Sequence, residues 1–224
     1  MNFLELTGRA RTHVVDIREP RCTLHGQAVD AFLAMRERAG AAGHDLVPIS
    51  GFRDFAGQVR IWNAKFRGER PLYDPAGQPL DASSMTDAQK VDAILLWSAL
   101  PGASRHHWGT EIDVIDRAAL PAGYEPRLMP AEYQPGGPFA ALNDWLEAHM
   151  AEFGFYRPYR TDRGGVRPEA WHLSYAPVSV PATELLTPDV LCEALGAESV
   201  LGYEIVRARV HDIHAQYVIN IDRP

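Results

Sequence analysis

Cysteine is scarce: Cys22 and Cys192 are the only two among 224 residues, far apart and without a C-x-x-C. That excludes a disulfide framework and a cysteine-ligated metal, and two reduced thiols are a simpler reading than one long-range bridge. No Lys/Arg-rich run is present and the formal net charge is −7. Phosphate binding needs clustered positive charge, so no nucleic-acid partner is expected. No stretch approaches the ~18 apolar residues of a membrane span. The N-terminus, Met1 to Gly8, lacks the basic start and apolar stretch of a secretory signal. The expected location is cytoplasmic if this N-terminus is native, and periplasmic or extracellular if a signal peptide preceded it. Internal repeats and low-complexity tracts are also missing.

What is present fits an ordinary globular chain, 46% hydrophobic and 23% charged. Its length suits one domain over 1–224 with its own core. Helical periodicity runs from about Gln27 to Ala42, and Asp45 to Phe52 reads as a short strand. Asp54 caps a second helix bearing Phe55, Val59, Trp62 and Phe66. Gly68 to Ser84, rich in Pro, Gly and Asp, reads as a long surface loop of the kind that forms a lid or substrate wall. Thr86 with Gln89 forms a capping box opening a third helix. Strands are expected at Glu111–Asp116, Glu169–Tyr175 and Tyr217–Ile221. Further helices are expected around Phe139–Phe153, from Thr187, and over Ile205–His214. Helices and strands without regular βαβ alternation predict an α+β fold with a small antiparallel sheet flanked by helices.

Chemistry concentrates in Ser104-Arg105-His106-His107-Trp108-Gly109-Thr110-Glu111-Ile112-Asp113. A catalytic zinc takes three ligands from His and Asp/Glu and keeps a position open. His106 and Asp113 are candidates for two, with Gly109 turning the backbone between them. Strand alternation puts Asp113 and Asp116 on opposite faces, so only one points into a given site, and Asp113 is chosen. The third candidate is His172, in Glu169-Ala170-Trp171-His172. Glu169 lies at odd spacing from His172, so a regular strand would turn the two apart; Glu169 must sit in a turn or bulge to reach the site. Each residue also has a structural reading. A His beside Trp is commonly packed, His107 competes with His106 as ligand, and Trp108 and Trp171 suit either a core or a pocket wall.

Together the segments Ser104-x-His106-x-x-Gly109-x-x-x-Asp113 and Glu169-x-Trp171-His172, preceded by Ser50-Gly51-Phe52-Arg53 with Gln58 five residues later, resemble a known family. They are similar to the D-alanyl-D-alanine carboxypeptidases and dipeptidases of the VanY/VanX type, whose zinc fold is shared with lysostaphin-type peptidases and the hedgehog signalling domain. The resemblance covers about Ile49 to Tyr175, within a family-like core of about 45–180 followed by an extension over 181–224. Phe52 replaces the usual Tyr, Ala170 the usual Pro, and Glu111 stands where a small residue is common. The resemblance implies one Zn2+ per chain on His106, Asp113 and His172. It also implies that Glu169 is the general base, that Arg53 stabilises the oxyanion, that Ser104 and Gln58 contact substrate or support the groups that do, and that Trp171 contacts substrate. Glu111, on the same strand face as Asp113, is expected to add negative charge near the site and bear on substrate preference. The implied substrate is a peptidoglycan stem peptide ending in D-Ala, or free D-Ala-D-Ala. An L-Ala-D-Glu endopeptidase and a non-catalytic zinc-containing binding module are the alternatives.

Overall fold

The computed structural model describes residues 1–196 and 200–224. A short helix α1 (Phe3–Leu6) precedes a hairpin of β1 (Val14–Arg18) and β2 (Arg21–His25). Next come α2 (Val29–Ala41), β3 (Leu46–Ser50) and α3 (Phe55–Phe66). A small ladder of β4 (Leu72–Tyr73) and β5 (Pro79–Leu80) leads to α4 (Asp87–Leu95) and β6 (Glu111–Asp116). The chain continues through α5 (Ala140–His149), β7 (Phe155–Tyr156) and β8 (His172–Tyr175). It ends in α6 (Ala176–Leu185), α7 (Pro188–Leu195), α8 (Tyr203–Ala208) and α9 (Val210–Ile213). The caps expected from sequence are in place: Asp54 accepts from the Gly57 N–H, and Thr86 with Gln89 forms a reciprocal box.

The principal sheet has the order β3-β6-β8-β7, antiparallel throughout. This is the α+β arrangement the sequence predicts. Its register places Asp113 opposite His172 and Glu111 opposite Ser174. Directly opposed residues project to one face, so these four side chains share a side. The alternate residues Ile112, Val114 and Leu173 turn the other way. They pack in a buried cluster with Phe32 and Met35 of α2 and Leu142 and Leu146 of α5. The sheet thus separates an apolar face from a polar one. A second cluster joins Trp62 and Phe66 of α3 and Ile94 of α4 to Leu191, Val206 and Ile213 from the C-terminal helices.

Several elements differ from expectation. The 68–84 segment holds the β4–β5 ladder and a 3-10 turn at Ala82–Ser84 rather than irregular loop throughout. Asp74 makes the ladder possible, because its carboxylate accepts the N–H groups of Ala76 and Gln78 and closes a tight turn. No strand forms at 217–221; residues His214–Val218 make a π-helical turn. Val218 is buried in the same helical cluster as Ile213, five residues earlier, so helical packing decides there. The 169–175 strand begins only at His172. Sequence reasoning missed the β1–β2 hairpin, and it missed α6, which carries Pro177 in its first turn and Pro181 in its interior.

Gly109 joins the parts. It ends the 3-10 turn Arg105–Trp108 with φ +66, and its carbonyl accepts from the His25 N–H at 2.7 Å. A Cβ there would lie 2.7 Å from that same nitrogen and 2.5 Å from Val14 Cγ1. Gly109→Ala therefore meets both a left-handed backbone and a clash. Urea unfolding should show it destabilised by more than ~1 kcal/mol; an unchanged midpoint would contradict this packing.

Candidate metal centre and active site

Strand β6 presents Asp113, strand β8 presents His172, and the 3-10 turn before β6 presents His106. One ligand-type atom from each of the three lies within 4.8 Å of the others, and all three residues are buried. The rings of His106 and His172 meet edge to face with centroids 5.0 Å apart. His106 Nδ1 is 2.8 Å from the Gly51 carbonyl, which can only accept, so this nitrogen carries the proton. The lone pair on Nε2 is left facing Asp113 Oδ2 at 3.4 Å. His172 Nδ1 is 3.0 Å from Asp113 Oδ1, and its Nε2 is 2.8 Å from Glu111 Oε2. That last approach is close but not aligned as a directed hydrogen bond.

Two imidazoles and a carboxylate converging with a lone pair turned inward suit a divalent cation such as zinc. Burial alone disfavours a charge on His172, but Asp113 and Glu111 raise its pKa to about 10. The Asp113 carboxyl, which burial pushes up, is held well below the usual range by His106 and His172. The donor set therefore fits the zinc that the sequence motifs imply.

His107 does not compete. Its Nε2 accepts from the Gly102 N–H at 3.1 Å and its Nδ1 donates to the Arg53 carbonyl at 2.6 Å. Both nitrogens are spent, and burial pushes its pKa down to about 3. Asp116 is likewise elsewhere, accepting from the Asp45 N–H at 2.9 Å and contacting His44 at 2.8 Å.

Glu169 precedes β8, and a turn closed by the His172 N–H onto the Glu169 carbonyl (3.3 Å) brings it round. Its Oε2 lies 3.7 Å from His172 Nδ1, the nitrogen that also faces Asp113. Burial, with the Asp113 charge adding to it and His172 opposing, raises the Glu169 carboxyl to about 7. Arg53 donates from Nη1 to Gln58 Oε1 (2.8 Å) and from Nη2 to Ser50 Oγ (3.1 Å). These groups border a cleft of about 340 Å³, which Ser104 and Trp171 also line. Trp171 is nonetheless nearly buried, its ring 5.7 Å from that of Tyr133. Tyr159 lines the cleft too, its ring 5.1 Å from that of His172.

Two expectations change. Gln58 is 1% exposed, and its amide also donates to the Ala99 carbonyl at 2.7 Å. Both ends are engaged inside the protein, so of its two expected roles Gln58 takes the supporting one, orienting Arg53, and not the substrate contact. Glu111 adds no free charge to the cleft. It is fully buried, with Oε1 3.3 Å from Arg105 Nη2 and accepting from Ser174 Oγ at 2.7 Å. Burial pushes its carboxyl up, but Arg105, His172 and Ser174 together bring it down to about 2. Arg105 in turn donates to Tyr156, Ser174 and Thr183. The signal for this pair was available, since Glu111 and Asp113 are two apart on a strand, but only strand pairing shows that His172 lies between them.

The chain matches the VanY family, D-alanyl-D-alanine carboxypeptidase, over residues 21–178. It belongs to this family. The matched segment runs from β2 into α6, and the family acts as peptidases on peptidoglycan peptides. An uncharacterized protein of Haemophilus influenzae is 34% identical over 122 residues, spanning 54% of this chain and 93% of that protein. Two solved structures share the fold. One is a mutant of the vancomycin resistance D,D-pentapeptidase VanY from the VanB-type resistance cassette, in complex with Zn(II). It has TM-score 0.53 and 23% identity, covering 77% of this chain and 82% of that one. The other is VanYB in complex with D-alanine-D-alanine, with TM-score 0.52 and 22% identity, covering 83% and 89%.

Glu111 reaches His172 from behind, as a partner that fixes a ligand's tautomer does. Loss of such a partner typically costs ~10–100-fold in metal affinity. Glu111→Gln should therefore weaken zinc binding by that factor in competition with a chromogenic chelator, with the fold retained by circular dichroism. Unchanged affinity would remove Glu111 from any role at the metal.

Proposed function

We propose that the protein is a zinc-dependent D,D-carboxypeptidase that releases terminal D-Ala from peptidoglycan-type peptides. The observation that carries the reading is the meeting of His106, Asp113 and His172 with the Glu169 carboxylate and the Arg53 guanidinium at one cleft. His106 through Nε2, His172 through Nδ1 and Asp113 through its carboxylate would hold the ion. Zinc there supplies Lewis acidity to the scissile carbonyl and lowers the pKa of the attacking water.

The remaining work belongs to the side chains. Glu169 takes the proton from the attacking water and delivers it to the leaving amine. A carboxyl raised to about 7 by burial suits both halves of that transfer near neutral pH. Arg53, held in orientation by Gln58 and Ser50, directs its charge toward the oxyanion that develops on the scissile carbonyl. Ser104 precedes the turn that carries His106 and lines the cleft, which supports a contact with substrate. A general base has no purpose in a pure binding module, which favours catalysis over the non-enzymatic alternative.

The choice of carboxypeptidase over dipeptidase is supported by the family match and by the motif spacing, which resembles the VanY-type carboxypeptidases more than the dipeptidases. Tyr73 from β4 and Leu128 from the loop before α5 line the cleft. Leu128 holds φ +55, and Glu132 pins its flanks by accepting the N–H groups of Arg127 and Met129.

Two tests follow. The purified protein should carry about one zinc per chain, and Glu169→Ala should keep that zinc while losing ~10²–10⁴ in turnover. Loss of metal together with folding would make Glu169 structural. Mass spectrometry of muropeptides treated with the zinc-loaded protein should show pentapeptide stems shortened by one D-Ala. A kcat/KM for free D-Ala-D-Ala more than ~100-fold above that for a pentapeptide, about 2.7 kcal/mol, would make the protein a dipeptidase instead.

A further inference from the structure

The chain has 22 Lys and Arg residues, but only Lys65 and Lys90 are lysines. Lys90 is half-buried and pairs with Asp87 at 3.3 Å. Lys65 is different. It lies on α3, lines the catalytic cleft, and donates from Nζ to Ser98 Oγ at 2.7 Å. Among the described residues no carboxylate comes within ion-pair distance of it. A neutral hydroxyl satisfies one of three donors on an ammonium, and withdrawing that charge from water without a counter-ion is costly. Arg70, in the turn that follows α3, lines the cleft as well and has no ion-pair partner among the described residues.

Placement adds to this. Gln58, which holds Arg53, and Lys65 are seven residues apart on α3, about 10 Å along the helix axis. The cleft therefore carries Glu169, Asp113 and the two histidines together with three cations, Arg53 before α3, Lys65 on it and Arg70 after it. An extended peptide rises by ~3.3 Å per residue, so a carboxylate one to three residues from the scissile bond lies ~3–10 Å from it, the scale of that helical separation.

We propose that Lys65, braced by Ser98 and supported by Arg70, is a carboxylate subsite that binds an acidic group of the substrate peptide and fixes its register over the metal. This rests on the peptide substrate proposed above and adds a specificity-determining residue that the motifs do not contain. The carboxylate comes either from the C-terminus of the departing D-amino acid or from an acidic side group of the stem. Burial pulls the Lys65 pKa down to about 8, with Arg70 and Arg53 adding to the effect and Glu169 opposing it. An anionic ligand would reverse that destabilisation, which is the physical basis of the selectivity.

The test measures binding separately from turnover. Zinc-loaded Glu169→Ala protein is titrated calorimetrically with three peptides: the pentapeptide L-Ala-γ-D-Glu-L-Lys-D-Ala-D-Ala, its C-terminal amide, and the analogue with the free D-Glu carboxylate amidated. The titrations are repeated with Lys65→Met added. One amide should bind about 10-fold or more weakly to the Lys65 protein, and Lys65→Met should shrink that difference to about twofold, because the coupling exists only when both charges are present. Which amide is affected names the carboxylate. In the Glu169 enzyme, Lys65→Met should raise KM for the acid peptide and leave kcat within a few-fold, the mark of lost ground-state binding. Ser98→Ala should weaken the same preference in part, and it serves as the second variant if thermal melting shows Lys65→Met to be unfolded. An acid–amide difference that is absent, or that persists unchanged in Lys65→Met, overturns the assignment. A fall in kcat shared by acid and amide peptides also overturns it, placing Lys65 in the service of Glu169. If no peptide of the three binds, the substrate class itself fails and the subsite with it; if all bind alike, only the subsite fails.

Discussion

Arg105 and Glu111 are shut away from water 3.3 Å apart, on the turn that carries His106 and the strand that carries Asp113. Burying such a pair is expensive, and removing one partner typically costs ~3–5 kcal/mol because the other is stranded. Here the arrangement supplies position. Glu111 faces His172 Nε2 while Arg105 reaches Ser174, Tyr156 and Thr183, so one network spans β6, β7, β8 and α6. The result is that Nδ1 of His172, rather than Nε2, is presented to Asp113. If the pair were lost, the imidazole would keep its contact with Asp113 but lose the partner on its Nε2 side.

Around this network the site is built in two layers. Asp113, His172 and His106 converge, and behind each is a group that limits its freedom: Gly51 for His106, Glu111 for His172, and the β6–β8 register for Asp113. Arg53 is treated likewise, by Gln58 and Ser50. Each functional side chain therefore has one atom fixed by the fold and another free for chemistry, which is how a site keeps its geometry without reorganising on binding. The bulge between Pro48 and Ser50 belongs to the same design. Among the described residues β3 pairs only with β6, so Pro48 is tolerated on an edge strand, and the irregularity aims Ser50 and the Gly51 carbonyl at the site.

The apolar face of the sheet gives this polar face its rigidity. Ile112, Val114 and Leu173 are fully buried against α2 and α5, so a one-residue slip of β6 would drive Asp113 into that core. The alternation of charge and hydrocarbon along Glu111-Ile112-Asp113-Val114 thus fixes register and builds the site at once.

The sequence by itself determined the residue types, their order and most local elements. The caps at Asp54 and Thr86, the helical period of Phe55, Trp62 and Phe66, and the alternation of β6 are short-range properties written in neighbouring residues. The candidate ligands were legible too, because a zinc site needs a small set of donors at recognisable spacings, and the turn at Glu169 followed from strand parity. Tertiary structure alone decided how the donors are used. That Gln58 holds Arg53, that Glu111 faces His172 rather than the cleft, and that Lys65 borders the site without a carboxylate depend on contacts across 5 to 63 residues of chain. The same holds for the end of the chain, where Val218 followed the helical core instead of its β-branched neighbours. Spacing along a chain fixes which face a side chain occupies; only packing between elements fixes what it meets there.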